Sequence, residues 1–351
     1  MSVYNGRQYL PDCIDGINGQ TFPDYEAVIV DDGSDDGTEH LLEQWKKEND
    51  RVHIIRREHQ GLTPSLNLAI SHARGQYLAR HDSDDISSPY RIAEQVKFLN
   101  SRPGAVLAAS QSVEFIDKRT LITLYCPPSD SGVIMQALMK GENPLVHGSI
   151  VMRKTAFEKL SGGYRFTYCQ DYDLYLRISS LGELQIVPEV LYARRNDPSR
   201  ISIKVRPVRK QIHRLIMQAN GIVPWDPEGA SVMANSPDKN KSLQSLERKI
   251  IPYNHQFSKD KVEAQVLMSS TGDHLERGNK LSALSSAMKA VAACPAWWKT
   301  WLSVPYAAIG AVIPRSMVGQ WRGKSSFSRY RRPCSATSID ELFSGTGQGL
   351  S

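Results

Sequence analysis

Short apolar segments alternate with amphipathic segments over roughly the first quarter of the chain. The apolar segments are residues 27–30, 52–55 and 77–79, and the amphipathic segments are residues 7–18, 38–47 and 61–75. The apolar segments are short and mostly β-branched, which is typical of buried strands, whereas the others repeat apolar residues at helical spacing. This alternation predicts a doubly wound, mostly parallel α/β sheet.

The remaining pattern predicts the domain organisation. Further elements are expected as a helix at 89–100, strands at 105–109 and 147–153, and a helix from Asp171. We expect one α/β domain over residues 1–214, a linker rich in Pro, Gly, Asp and Asn at 215–240, a smaller helical accessory region at 241–324, and a disordered Ser-, Arg- and Gly-rich tail at 325–351.

Composition and charge fit a globular protein with a mild basic excess. Of 351 residues, 40% are hydrophobic, the mean hydropathy is −0.39 and the formal net charge is +6. Basic runs at 200–214 and 315–332 are explained by solvated faces or by contact with phosphates or an anionic membrane surface. Four tryptophans, at 297, 298, 301 and 321, lie near the second run, so this region is predicted to be either a tryptophan-rich helical core or a membrane-interface contact.

The cysteines indicate a reducing compartment. They are Cys13, Cys126, Cys169, Cys294 and Cys334, widely spaced and without a C-x-x-C pair. This spacing argues against a disulfide framework and a structural zinc site. No signal peptide is recognised, and the apolar run at 301–314 is too short to span a bilayer. We therefore expect a cytoplasmic protein, with peripheral contact at the inner face of the cell membrane as the membrane alternative, and no nucleic-acid partner.

Carboxylates at the ends of predicted strands mark the candidate site. Asp82, Asp84 and Asp85 follow the apolar run Tyr77-Leu78-Ala79, at the strand end where ligands bind in open α/β sheets. Three neighbouring acids repel one another unless a cation lies between them, and Mg²⁺ or Mn²⁺ suits such oxygen ligands and substrate phosphates. The residues therefore predict a metal–diphosphate site, with an acidic helix-capping loop as the alternative.

A second acidic pair, Asp31-Asp32, ends the strand at 27–30, where an acid commonly accepts hydrogen bonds from a nucleotide. Asp32, Ser34, Asp36, Gly37 and Glu43 also match the spacing of an EF-hand calcium loop. An EF-hand requires a preceding helix, whereas a β-branched strand is predicted here. The calcium interpretation remains open as a non-catalytic metal-binding module.

The helix predicted from Asp171 begins with two acids, Asp171 and Asp173, where the helix dipole favours anions. Helix capping explains one of them, and a general base facing the cleft is the functional interpretation. His147 is a candidate substrate ligand, with a hydrogen-bonded core histidine as the alternative.

Four sequence blocks stand in order: Ser2 to Gly6, Gln20 to Glu26, Val30 to Thr38, and Ala79 to Asp85. Together they resemble the family-two inverting glycosyltransferases with the GT-A fold, over about residues 1–200. The resemblance implies that Ser2, Tyr4, Asp31 and Asp32 bind the nucleotide. It also implies that Asp82 and Asp84 bind the sugar nucleotide and its divalent metal, with Asp84 as the metal ligand.

The same resemblance implies that Asp171 is the catalytic base and that Arg195 grips the diphosphate. Two positions depart from the family pattern: Gln170 replaces the usual Glu before the base, and Asn196 stands where a histidine is expected. The implied reaction transfers a hexosyl group from a nucleotide-diphosphate sugar to a saccharide or lipid-linked acceptor, in cell-surface polysaccharide or glycolipid synthesis. A sugar-1-phosphate nucleotidyltransferase is the enzymatic alternative, although residues 2–7 supply little of the Gly-rich basic loop it requires.

The start of the chain carries one more expectation. A GT-A sheet needs a strand directly before the Tyr4 loop, and Met1 lies only a few residues ahead of it. Residues 2–6 are predicted to be a loop, so the first strand is expected to be missing and the true start to lie upstream.

Overall fold

The first half of the fold is a parallel β-α-β unit, as the alternating pattern predicts. In a computed structural model, the described residues are 1–197, 209–234, 238–250, 284, 287–289, 330–332 and 334–344. The unit comprises β1 (Ser2–Val3), α1 (Leu10–Asn18), β2 (Ala27–Asp31), α2 (Thr38–Glu48), β3 (Val52–Arg56) and α3 (Leu62–His72). The strands form a parallel sheet in the order β1-β2-β3. All five residues of β2 are buried because helices cover both faces of the sheet.

The prediction of a loop at residues 2–6 is wrong for its first two residues. Ser2 pairs with Val30 and Val3 with Asp31, so a short first strand is present beside β2. The backbone N–H of Val30 also donates to the Met1 carbonyl at 2.9 Å, which extends this pairing by one residue. Val3 is fully buried against Leu10, Cys13 and the other apolar residues of this unit.

The second half of the fold is a mixed sheet with helices packed on it. Its elements are β4 (Tyr77–Ala79), β5 (Ile86–Ser87), α4 (Arg91–Asn100), β6 (Ala105–Asp117), β7 (Thr120–Tyr125), α5 (Ser131–Met139), β8 (Val151–Arg153), α6 (Lys154–Glu158), α7 (Gln170–Ile178) and β9 (Glu183–Arg195). The strand order is β10-β7-β6-β8-β4, where β10 is the C-terminal strand Arg331–Arg332. Strand β9 pairs in parallel with β6 and antiparallel with β5. This topology brings the residues after β4 next to the end of β9.

Helix α7 is almost entirely buried. Seven of its nine residues are buried, among them Tyr172, Leu174 and Tyr175 in the largest apolar cluster. A helix this enclosed moves little relative to the sheet, because its side chains interdigitate with the surrounding core. The side chains of its first turn are therefore held in fixed positions.

The C-terminal part of the chain differs from the predicted linker and tail. Helix α8 (Arg209–Ala219) crosses the predicted boundary at residue 214 and buries Ile212, Leu215 and Ile216 in the main core. Helices α9 (Pro227–Ala234) and α10 (Lys239–Ile250) follow. In the predicted disordered tail, β10 (Arg331–Arg332) pairs with β7, and α11 (Ile339–Ser344) buries Ile339 and Phe343 against the sheet.

Most of the predicted accessory region at 241–324, the four tryptophans and most of both basic runs lie outside the described residues. Within the part of the chain that the structure describes, no helix combines the length and apolar character needed to cross a bilayer. The membrane contact stays a prediction.

Candidate active site

The loop after β1 is tied to the acidic loop after β2 by three backbone donors. The N–H groups of residues 5, 6 and 7 donate to Ser34 Oγ, Thr38 Oγ1 and Asp36 Oδ2 at 3.0, 2.9 and 3.0 Å. Asp36 Oδ2 therefore accepts a hydrogen bond from the protein backbone, whereas in a calcium loop this carboxylate would bind the ion. A Cβ at Gly6 would lie 3.9 Å from Ser83 Oγ, so this loop also approaches the D-x-D segment, Asp82-Ser83-Asp84. The loop after β1 is therefore close to both acidic segments.

The acidic pair after β2 is buried and organises the neighbouring loop. Asp31 Oδ1 accepts from the N–H of Ser34 at 3.1 Å. Asp32 accepts from the N–H of Gly61 at 2.7 Å and from Ser65 Oγ at 2.9 Å. Asp32 is also paired with Arg57 Nε at 3.2 Å. Asp32 therefore fixes the segment between β3 and α3, and direct nucleotide contact by Asp31 and Asp32 stays a prediction.

An exposed aromatic pair stands above this buried carboxylate. The rings of Tyr4 and His59 are 4.1 Å apart between centroids at an interplanar angle of 34°, and Tyr4 is 48% exposed. His59 Nδ1 lies 2.9 Å from Asp32 Oδ2, which fixes the imidazole beside the phenol. A planar base can stack on such a surface. The sequence did not single out His59, although its place just after β3 parallels that of Asp31-Asp32 after β2.

The D-x-D carboxylates are held differently from one another. Asp82 Oδ1 accepts from Arg80 Nη2 at 2.6 Å. Asp85 is fully buried, and its Oδ1 accepts from the N–H of Arg195 at 2.8 Å. Asp84 remains partly exposed. Of the three acids, Asp85 thus braces the loop, whereas Asp82 and Asp84 remain accessible to a ligand.

Arg195, predicted to grip the diphosphate, is 95% buried within the protein. Its Nε donates to the Asp84 carbonyl and its Nη2 to Asp12 Oδ2, both at 2.8 Å, while the rings of Tyr9 and Phe115 lie 4.3 and 4.5 Å from the guanidinium carbon. These contacts attach the end of β9 to the D-x-D loop. In this arrangement Arg195 positions the loop, and its contact with a diphosphate stays a prediction.

The D-x-D loop is also supported from below by Tyr192. The backbone N–H of Asp82 donates to Tyr192 Oη at 3.1 Å, and the Tyr192 side chain is fully buried. The tyrosine fits only because residue 148 is a glycine: a Cβ there would lie 2.1 Å from Tyr192 Oη. Gly148 therefore provides the space that lets β9 fix the backbone of the first D-x-D residue.

The chemistry of the accessible acids fits a hard divalent cation. Among the residues that the structure describes, no three His, Cys, Asp or Glu side chains are grouped closely enough to hold a metal ion by themselves. Mg²⁺ commonly takes only one or two protein carboxylates and completes its shell with water and substrate phosphates. Asp84, with Asp82 beside it, suits that mode of binding.

Asp171 lies in the first turn of α7, facing the loop that follows α5. Asn143 Nδ2 donates to Asp171 Oδ2 at 2.7 Å. Burial raises the pKa of Asp171, while the backbone N–H of Tyr172, the charge of Arg209 and the Asn143 amide oppose that rise. The helix begins after Cys169, which has a left-handed φ of 51°, and Gln170 is buried as its first residue. A carboxylate with a raised pKa is suited to remove a proton near neutral pH.

Asp173, the alternative base, is occupied by protein groups. It is fully buried and forms ion pairs with Arg165 and Arg177. Asn220 Nδ2 donates to its Oδ1 at 3.0 Å. Both oxygens of Asp173 therefore face donors from the fold, and the role of Asp171 as the base stays a prediction.

His147 lies in a 3-10 turn (His147–Ser149) and contacts the core tyrosine Tyr164. Its Nε2 is 2.8 Å from Tyr164 Oη. Burial, reinforced by the positive charge of Arg80, lowers the pKa of His147 to about 3, so the ring is neutral at physiological pH. This matches the core-histidine alternative, and a contact of His147 with substrate stays a prediction.

The comparisons with known proteins agree with this geometry. Residues 1–161 match the family model described as Glycosyl transferase family 2. The chain is 33% identical to the glycosyltransferase-like protein EpsE of Bacillus subtilis, over 56% of this chain and 72% of EpsE. It is 29% identical to the amylovoran biosynthesis glycosyltransferase AmsE of Erwinia amylovora, over 54% of this chain and 73% of AmsE.

Among solved structures, the chain is similar to residues 1–349 of TarS from S. aureus, crystallised with UDP-GlcNAc. The TM-score is 0.50 at 12% identity, covering 91% of this chain and 89% of TarS 1–349, which supports the fold alone. An α/β sheet with acidic strand ends, a D-x-D loop and a carboxylate on a buried helix define a GT-A enzyme. The chain belongs to the family 2 glycosyltransferases.

Proposed function

We propose that this glycosyltransferase moves a sugar from a nucleotide-diphosphate donor to an acceptor hydroxyl, with inversion at the anomeric carbon. The observation that supports the proposal most is that the fold leaves Asp82, Asp84 and Asp171 partly exposed, whereas the neighbouring acids Asp85 and Asp173 are fully buried. In this proposal the donor's diphosphate lies at the D-x-D loop and its sugar is directed toward Asp171.

In this proposal Asp171 removes the acceptor proton as the acceptor oxygen attacks the anomeric carbon. The bond from that carbon to the diphosphate breaks in the same displacement, and no covalent enzyme intermediate is formed. The Tyr4–His59 surface stacks on the base of the nucleotide. A Mg²⁺ or Mn²⁺ ion held by Asp84 would supply positive charge to the departing diphosphate.

The acceptor class follows from the relatives rather than from the site. AmsE is named for the biosynthesis of amylovoran, and we extend that context to this chain as a saccharide or lipid-linked acceptor in cell-surface polysaccharide synthesis. Such an acceptor is met at the cytoplasmic face of the cell membrane, where we place the enzyme.

The test begins with a thermal-shift panel of UDP- and GDP-sugars with Mn²⁺, since a ligand that binds only the native state at 100 times its Kd adds about 2.7 kcal/mol of stability. Proton NMR then records the anomer of the sugar released from the best α-linked donor. We expect the β-anomer and a nucleoside diphosphate. Initial release of the α-anomer contradicts inversion, and release of pyrophosphate supports a nucleotidyltransferase instead.

A further inference from the structure

We propose that Asn143 is a positioning residue for the reaction: its side-chain amide holds the Asp171 carboxylate in one orientation, with one oxygen kept for the protein and the other directed to the acceptor. This inference rests on the proposed function, because it concerns the base of that reaction. It adds a residue that lies 28 positions before Asp171 in a different part of the fold.

The orientation of the Asn143 amide is fixed by its two ends. Its Oδ1 accepts from the N–H of Leu145 at 3.1 Å, so its Nδ2 is the atom that faces Asp171 Oδ2 at 2.7 Å. A backbone N–H can only donate and an ionised carboxylate can only accept, so only this amide orientation satisfies both. Pro144 follows directly and restricts residue 143 to an extended backbone.

The loop that carries Asn143 is itself anchored to the helix that carries Asp171. Tyr172, the next residue of α7, donates from its Oη to the Leu138 carbonyl at 2.5 Å. Its ring stacks on His213 of α8 with centroids 4.0 Å apart, and His213 Nδ1 lies 2.6 Å from the Gly141 carbonyl. Both contacts lie just before Asn143 in the chain, so they set the distance between its loop and α7, which is the support that a precisely held carboxylate requires.

The groups around Asp171 separate orientation from charge. The positive charge of Arg209 in α8 lowers the pKa of Asp171, against the larger upward effect of burial. Besides burial, the negative charge of Asp171 raises the pKa values of Tyr164, Cys169 and Tyr175. The Asn143 amide donates a hydrogen bond to the Asp171 carboxylate. A donor to the ionised form favours that form, so its removal raises the pKa of the base.

The variants Asn143→Ala and Asn143→Asp test the role. Asn143→Asp keeps the size and the acceptor for Leu145 but replaces the amide donor with a second carboxylate. Asn100→Ala, which removes an exposed amide whose Oδ1 accepts from Tyr77 Oη, is the matched control. We measure the rate of nucleoside diphosphate release between pH 5 and 9. The donors are UDP-glucose, UDP-N-acetylglucosamine and GDP-mannose.

For Asn143→Ala we expect kcat to fall roughly tenfold while the donor KM stays within about twofold, because the amide acts on the base and not on the donor. The base must be ionised to act, so a raised pKa moves the acid limb of the profile upward, by about one pH unit. Asn143→Asp should move it further, and Asn100→Ala should leave it unchanged. A purely structural role would instead lower the fraction of active enzyme without moving the limb.

A second measurement does not depend on turnover. In protein labelled with ¹³C at aspartate carboxyl carbons, the Asp171 signal is the one lost in Asp171→Asn, and its titration is compared with and without Asn143. We expect a higher pKa in both Asn143 variants. If Asp171→Asn abolishes donor hydrolysis while both Asn143 variants keep the wild-type titration and pH profile, this inference fails alone. If Asp171→Asn hydrolyses donors normally, the proposed function fails and this inference fails with it.

Discussion

The substitution Asp173→Asn should lower the free energy of unfolding. The substitution Asp171→Asn, two residues earlier on the same helix, should leave it unchanged. Asp173 is fully buried between Arg165 and Arg177, whose side chains are only 15% and 11% exposed. The change keeps the size of the side chain but removes the charge that compensates two largely desolvated guanidinium groups. Asp171, in contrast, has no ion pair in the described part of the structure.

The magnitude follows from the loss of the buried anion. Removing one partner of a buried ion pair costs about 3–5 kcal/mol, because the other charge is left uncompensated. This is a large part of the roughly 5–15 kcal/mol that stabilises a typical domain. At about 2–4 °C per kcal/mol for a domain of this size, we expect Tm to fall by roughly 6–20 °C.

The assay is urea unfolding of the full chain at pH 7. It is monitored by tryptophan fluorescence, with the buried Trp45 as one reporter. Asp171→Asn serves as the isosteric control on the same turn of helix. If the free energy of unfolding of Asp173→Asn lies within about 0.5 kcal/mol of the wild type, the range typical of surface substitutions, the ion pairs of Asp173 do not stabilise the fold.

Three further outcomes follow from the site. Gly148→Ala forces a Cβ to within 2.1 Å of Tyr192 Oη, so we expect a loss of about 1–3 kcal/mol in urea unfolding; an unchanged midpoint contradicts the close packing. Tyr4→Ala removes a stacking surface and should weaken donor binding by about 1–3 kcal/mol in calorimetry, with no change in stability; equal affinity rules out stacking on Tyr4 and His59. Asp84→Ala should abolish transfer while preserving the fold, and full activity of the wild type in excess EDTA contradicts metal use.

The local elements of the fold were predictable because their signals are local. The run Ala27–Val30 is apolar and mostly β-branched, and the structure has a fully buried strand at Ala27–Asp31. Helix α7 was expected to begin near Asp171 and begins at Gln170.

The partners of the site residues were not predictable, because they come from distant parts of the chain. Arg195 reaches the D-x-D loop from about 110 residues away, and Asn143 reaches Asp171 from 28. Both Asp171 and Asp173 carry the same sequence signal of an acid in a first helical turn. The contacts of Asp173 with Arg165, Arg177 and Asn220 show that it is structural, whereas the sequence does not reveal which face of the helix turns inward.

The disordered tail predicted at 325–351 contains a strand and a helix in its described residues, 330–332 and 334–344. Serine, arginine and glycine dominate residues 325–351, and such composition alone favours disorder. Two apolar residues, Ile339 and Phe343, are spaced four apart on α11 and bury themselves beside Phe115. Pairing of β10 with the edge strand β7 adds backbone hydrogen bonds that composition does not reveal.

The role of Asp171 as the base is tested most directly by the turnover of Asp171→Asn with the donor identified in the thermal-shift panel. The asparagine keeps the size of the side chain and the contact with the helix but cannot accept the acceptor proton. We predict that kcat falls at least about 10²-fold while the donor Kd changes less than about twofold. Wild-type turnover by Asp171→Asn would show that Asp171 is not the base.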